Sequence, residues 1–206
     1  MILYIARHGE TSWNREGRYQ GQLESELTAL GEEQARALGT ALGSRTLDAV
    51  YASPLTRCLA TANALGRPVI ADARLIEIAH GTWEGRLRDE IERSDAPRFH
   101  AWRTQPQSVS FDGGESLHQV LLRWRSFLSS LAATPAGAIA IVTHDVIVRL
   151  AILDASERGA AQLWEPRVVN GGYAVLEKTD TGWRVREECV DTHLCGLLVD
   201  TAQQAL

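Results

Sequence analysis

Ile2-Leu3-Tyr4-Ile5-Ala6-Arg7-His8-Gly9-Glu10-Thr11 is the stretch from which the fold can be read. Its apolar residues run without interruption into two basic ones and then a glycine. Such a short apolar run, bounded by a turn residue, predicts a buried strand over Leu3 to Ala6. Arg7 and His8 then stand where the strand ends, a position at which ligand-binding groups collect in open α/β sheets. Gly9 is expected to let the backbone turn closely around a small anion.

The same pattern recurs along the chain. Strand-like runs lie at Ala49 to Ala52 and Ala138 to Thr143, with helical periodicity between them. Thr28 is placed to N-cap a helix that carries Glu32 and Glu33 early and Leu38 and Leu42 later. Leu55, Leu59, Ala62 and Leu65 form a second helical stripe, and Leu117, Leu121, Trp124, Leu128 and Leu131 a third. Tyr173 to Lys178 and Trp183 to Glu188 alternate around Thr-Asp-Thr-Gly, which predicts a hairpin closing the sheet. The alternation of strand and helix predicts an α/β three-layer sandwich, a central, mostly parallel sheet flanked by helices. Between Ser94 and Gly114, Pro97, Pro106 and the Gly113-Gly114 pair interrupt the pattern. That stretch is expected to be a lid or irregular loop over the site.

The 206 residues, 45% of them hydrophobic, suffice for one substantial core, and no linker divides them; a single domain over 1–206 is expected. The 26 acidic residues outnumber the 21 basic ones, which form no run. That balance argues against a nucleic-acid or anionic-membrane partner. The apolar start is too short for a signal-peptide core, and nowhere is there a span long enough to cross a bilayer, so a soluble, cytoplasmic protein is expected. Cys58, Cys189 and Cys195 are odd in number and lack CxxC spacing, and no HxxxH occurs. Free thiols, no metal and no other cofactor are the expectation. The six tryptophans could line a homodimer interface or merely the core.

A histidine beside an arginine at a strand end is suited to phosphoryl transfer. That chemistry needs a neutral nucleophile, fixed cations around the phosphoryl oxygens and an acid for the leaving oxygen. His8 is the candidate nucleophile, its other ring nitrogen expected to donate to a backbone carbonyl, and Arg7 a candidate phosphoryl clamp. In Ser53-Pro54-Leu55-Thr56-Arg57-Cys58, Arg57 falls near a helix N-terminus, a favourable place for an anion. Thr143-His144-Asp145 ends the third apolar run. A phosphate facing His144 would raise the pKa of its imidazole.

Together these segments resemble the histidine phosphatase superfamily, which also contains cofactor-dependent phosphoglycerate mutases. The likeness runs in the family's order from residue 3 to about residue 150 and implies a phosphoglycerate mutase-like fold. Through it, Glu77 in Glu77-Ile78-Ala79-His80-Gly81-Thr82-Trp83-Glu84-Gly85 is identified as the general acid, and Glu84 as part of the turn. Asn14 matches an asparagine that binds the phosphoryl group, and Gln20-Gly21 a turn that borders the leaving group. Asn170-Gly171 is a further loop that could border the substrate. Glu24 and Glu26 are substitutions conservative of fold in the stretch Gln22 to Thr28, and three further departures from the family bear on the site. Cys58 stands where a small residue is usual, His80 where an apolar aromatic is common, which puts the pocket wall in question, and Asp145 where glycine follows the histidine. A carboxylate beside a dianion would be repelled, so Asp145 is expected to turn away and N-cap the helix Val146 to Leu153.

The resemblance implies a metal-independent phosphatase that hydrolyses a small phosphorylated metabolite through a phosphohistidine. A phosphoglycerate mutase and a catalytically lapsed binding protein are the alternatives. Mutases carry a long insertion between the acid and a later Gly-Glu-Ser segment. Here Glu77 and Glu115 are only 38 positions apart, which favours the phosphatase.

Overall fold

The computed structural model describes residues 1–131 and 137–199. Its strands are β1 (Ile2–Arg7), β2 (Ala49–Ala52), β3 (Val69–Ala71), β4 (Ala138–Thr143), β5 (Tyr173–Thr179) and β6 (Gly182–Val190). They form one sheet in the order β3-β2-β4-β1-β5-β6. The first four are mutually parallel, while β5 runs antiparallel to β1 and β6 antiparallel to β5. The helices are α1 (Ser12–Glu16), α2 (Ala29–Gly43), α3 (Thr56–Asn63), α4 (Arg88–Ser94), α5 (Ala96–Thr104), α6 (Leu117–Leu131) and α7 (Asp145–Ala155).

Alternation along the strands makes the three layers. Successive side chains point to opposite faces of a sheet, and the core divides accordingly. Leu3, Ile5, Ile139, Ile141 and Leu176 pack with Trp124 and Phe127 of α6 and Ile147 and Ala151 of α7. On the other face Tyr4, Ala6, Ala140, Val142 and Val175 pack with Leu38 and Leu42 of α2 and Cys58 and Ala62 of α3. Thr28 caps α2 as expected, its hydroxyl accepting from the Gly31 amide at 3.0 Å. Among the described residues no helix is long and apolar enough to cross a membrane. Cys58, Cys189 and Cys195 are free thiols.

Two expectations need correction. The stretch from Ser94 to Gly114 is not an irregular lid: it contains α5, and Phe99, Trp102, Val109 and Phe111 are buried in the core cluster around Trp83. Pro97 lies in the first turn of α5, where the missing N–H costs nothing, so it starts the helix rather than breaking it. The sheet also gains β3, a three-residue edge strand too short to show a period.

Candidate active site

Parallel pairing gathers the site. Arg7 is in register with Thr143, and Ala52 with Val142, so the C-terminal ends of β1, β4 and β2 lie side by side. The residues that follow them, His8, His144 and Ser53, therefore meet at one edge of the sheet, with Arg57 one turn further on. The rings of His8 and His144 are 5.2 Å apart between centroids, and the His8 amide donates to the Thr143 carbonyl at 2.9 Å.

Nδ1 of His8 lies 2.7 Å from the Gly9 carbonyl oxygen, which can only accept. The proton of the neutral ring is therefore on Nδ1, and Nε2 keeps its lone pair. Burial, and next the positive charge of Arg57, hold both His8 and His144 well below the usual histidine pKa, so both are neutral without an anion. His144 Nε2 is 2.8 Å from the Ser53 hydroxyl and 3.4 Å from Cys58 Sγ, a thiol whose pKa burial pushes up.

Arg57 is held from both ends of its fork: Nη1 donates to Leu23 O at 2.8 Å and Nη2 to Gly21 O at 2.7 Å. Gly21 has φ +50°, and a Cβ there would lie 2.1 Å from Glu84 Oε1, so only glycine fits the turn that presents this carbonyl. Asn14 Oδ1 accepts from the Thr11 amide at 3.1 Å and from Asn170 Nδ2 at 3.3 Å. Its carbonyl side is thus engaged, while the buried Nδ2 has no partner among the described residues, and neither has Arg57 Nε. Buried donors left unpaired cost free energy until a ligand accepts from them, and an anion is such a ligand. Gln20 is buried with Oε1 3.0 Å from the Thr11 hydroxyl. Asn170 also donates to His8 O at 3.1 Å, and the Gly171 amide to Arg7 O at 3.0 Å, so this loop braces the backbone of the two residues.

Glu77 is buried at the same edge. Oε1 accepts from the Ile78 amide at 2.9 Å and Oε2 from the Val146 amide of α7 at 3.4 Å. Burial raises its pKa to about 7, and the neighbouring charge of Asp145 pushes the same way. A carboxyl with that proton affinity can both donate and accept near neutrality. Glu84 instead accepts from the His80 amide at 2.9 Å and the Gln22 amide at 3.2 Å, which closes the turn.

A family profile described as histidine phosphatase superfamily (branch 1) matches residues 3–190. The chain belongs to the histidine phosphatase superfamily. Phosphoserine phosphatase 1 of Hydrogenobacter thermophilus is 35% identical over 179 residues, covering 84% of this chain and 85% of its own. A Klebsiella pneumoniae protein named "Probable phosphoglycerate mutase GpmB" is 37% identical over 153 residues, 70% of this chain and 69% of its own. Among solved structures, Bacillus stearothermophilus YhfR superposes with a TM-score of 0.89 at 33% identity, over 94% of this chain and 98% of that one.

Three expectations for this histidine phosphatase change with the geometry. Asp145 does not cap α7: the N-cap is His144, and the Asp145 carboxylate pairs with Arg7 Nη1 at 3.2 Å and Arg149 Nε at 2.5 Å. Gly9 gains a reason the sequence did not show: a Cβ there would sit 2.3 Å from Gly31 O, where α2 abuts the loop, so helix packing by itself requires glycine. His80 is fully buried against the rings of Tyr19, Trp102 and Phe111, its pKa lowered by burial to about 3, so it belongs to the core and not to the pocket wall.

Sequence reasoning missed the brace on the acid-bearing segment. Arg123 of α6 donates to the carbonyls of Arg74 at 2.8 Å, Ile76 at 2.5 Å and Glu77 at 3.1 Å, and pairs with Glu115 at 3.0 Å. Glu115 also accepts from the Ala79 amide at 2.9 Å. Its place in Gly113-Gly114-Glu115-Ser116, eight residues before an arginine on a helix, was the available signal.

Proposed function

We propose that this chain, as a single domain in the cytoplasm, is a metal-independent phosphomonoesterase of the histidine acid type acting on small phosphorylated metabolites. The observation that carries the reading is the tautomer of His8: Nδ1–H donates to the Gly9 carbonyl and leaves Nε2 as a nucleophile within the field of Arg57 and Arg7. The phosphate binds Arg7, Arg57, Asn14 and His144. Nε2 of His8 attacks phosphorus in line as the ester P–O bond breaks, and Glu77 gives its proton to the departing alcohol oxygen. Water then attacks the phosphohistidine while Glu77 takes a proton from it, releasing phosphate and restoring both groups. Gln20 and Gly21 shape this edge of the pocket.

The mutase reading keeps one kind of support, the relatives whose names carry it. Against it stands the short segment between Glu77 and Glu115, which α4 and α5 occupy. Rapid quench of a reacting wild-type sample should trap an acid-labile, base-stable phosphoenzyme that is missing in His8→Ala, and turnover should end in free phosphate. Undiminished activity in His8→Ala would remove the mechanism. Phosphate returned to a second hydroxyl of the same molecule, rather than to water, would replace the phosphatase by the mutase.

A further inference from the structure

Asp145 is a carboxylate buried at the phosphoryl edge of the site, where electrostatics alone would forbid one. Its surroundings resolve the conflict. Oδ1 pairs with Arg7 Nη1 at 3.2 Å and accepts from Arg149 Nη2 at 3.4 Å, while Oδ2 accepts from Arg149 Nε at 2.5 Å. Arg149 is fixed in turn. Its Nη1 donates to the carbonyl of Pro166 and, at 3.5 Å, to that of Leu163, and its guanidinium lies 5.3 Å from the centroid of the Trp164 ring. Trp164 Nε1 donates to the Trp102 carbonyl of α5 at 2.8 Å. A continuous chain of contacts therefore runs from α5 through Trp164, Arg149 and Asp145 to Arg7.

The three side chains together carry one net positive charge, so Arg149 offsets the repulsion that Asp145 alone would exert on an incoming dianion. What remains is a directional hold on Arg7. A guanidinium on a long stem binds a phosphoryl group well only when its fork is already aimed, and a buried carboxylate with its own anchor can fix that aim. We propose that Asp145 and Arg149 are positioning residues that hold the Arg7 guanidinium in its phosphoryl-binding orientation. The proposal rests on the reading of Arg7 as a phosphoryl clamp.

The test is a set of double-mutant cycles on a reactive aryl phosphate, which keeps the rates of weak variants measurable, together with vanadate affinity by calorimetry. Asp145→Asn preserves the shape and removes the charge. It should lower kcat/KM by about 10- to 100-fold, the scale of a small misplacement at a reacting centre, and weaken vanadate in parallel. Arg149→Met should do the same. In an Arg7→Ala background both substitutions should change kcat/KM by less than about twofold, because groups that act through one residue are silent once it is gone. A role in general stability would instead lower activity equally in both backgrounds, and that result overturns the proposal. So does full activity of Asp145→Asn while Arg7→Ala is impaired. Full activity of Arg7→Ala would remove the clamp itself, and the proposal with it. Should Asp145→Asn not fold, Asp145→Glu keeps the charge, lengthens the side chain by one methylene and carries the same cycle with the same outcomes.

Discussion

Glu77 is buried with both carboxyl oxygens on backbone amides, and its pKa is raised to about 7, first by burial. The sign of the consequence follows from linkage. The native state keeps a proton that the unfolded chain releases above its own carboxyl pKa of about 4.3. Stability therefore falls as pH rises from there through about 7 and is lowest above it. Glu77→Gln, which cannot ionise, should unfold at higher denaturant than wild type at pH 8 and show no such gain at pH 4, with a difference of up to about 3 kcal/mol. The two histidines act in the opposite sense: their lowered pKa values cost stability as pH falls below the ordinary histidine value. The same glutamine should slow alkyl phosphates by about 10² to 10⁴ and aryl phosphates with acidic phenols far less, since only a poor leaving group needs the proton. Glu84→Gln, whose carboxylate closes a turn, should show no leaving-group dependence. A selective defect in Glu84→Gln would exchange the two assignments. Other residues could not be read from sequence because their partners are remote. Arg149, four residues after Asp145 on a helix, was a visible partner, but Arg7 was not, and an isolated Asp after a strand reads as a cap.

Elements fixed by a clear period were legible: β2, β4 and α6 begin and end where the apolar pattern does. β3 was not, since three half-exposed edge residues carry no period, and α5 was hidden by a proline that belongs to its first turn. Equally invisible was how closely α2 approaches the loop after β1. A Cβ on Gly31 would lie 2.0 Å from Glu10 O, and one on Gly9 would lie 2.3 Å from Gly31 O. Gly31→Ala must therefore push helix and loop apart. We expect a loss of about 1–3 kcal/mol in chemical denaturation, as for overpacking elsewhere, and a fall in kcat, because the Gly9 carbonyl that sets the His8 tautomer moves with the loop. Gly43→Ala, at the other end of α2 with nothing within 4 Å, should be neutral to stabilising by up to about 1 kcal/mol. Equal penalties for the two substitutions would show that helix propensity, not the close approach, governs this element.

Across the whole molecule the site is a local exception to the charge balance. The chain carries a net charge of −5, yet Arg7 and Arg57 are buried at the sheet edge beside two histidines held neutral. Arg7, Asp145 and Arg149 together keep one net positive charge and Arg57 adds another, so an anion that fits between the two arginines should stabilise the entire fold. Vanadate, which mimics five-coordinate phosphorus, is the probe. A ligand at 100 times its Kd that binds only the native state adds about 2.7 kcal/mol. At roughly 2–4 °C per kcal/mol for a chain of this length, the melting temperature should rise by about 5–10 °C. The rise should survive a chelator, because the described residues contain no grouping of three or more His, Cys, Asp or Glu side chains that could hold a metal. It should also be larger at pH 6 than at pH 8. An anion beside His144 favours the protonated ring that burial and Arg57 disfavour in its absence, so binding draws in a proton, and proton uptake weakens binding as pH rises. Arg57→Ala should abolish most of the rise. A shift that appears only with added divalent metal would contradict this reading of the site. A shift that strengthens with pH would remove His144 from the anion-binding set and leave the nucleophile assignment standing.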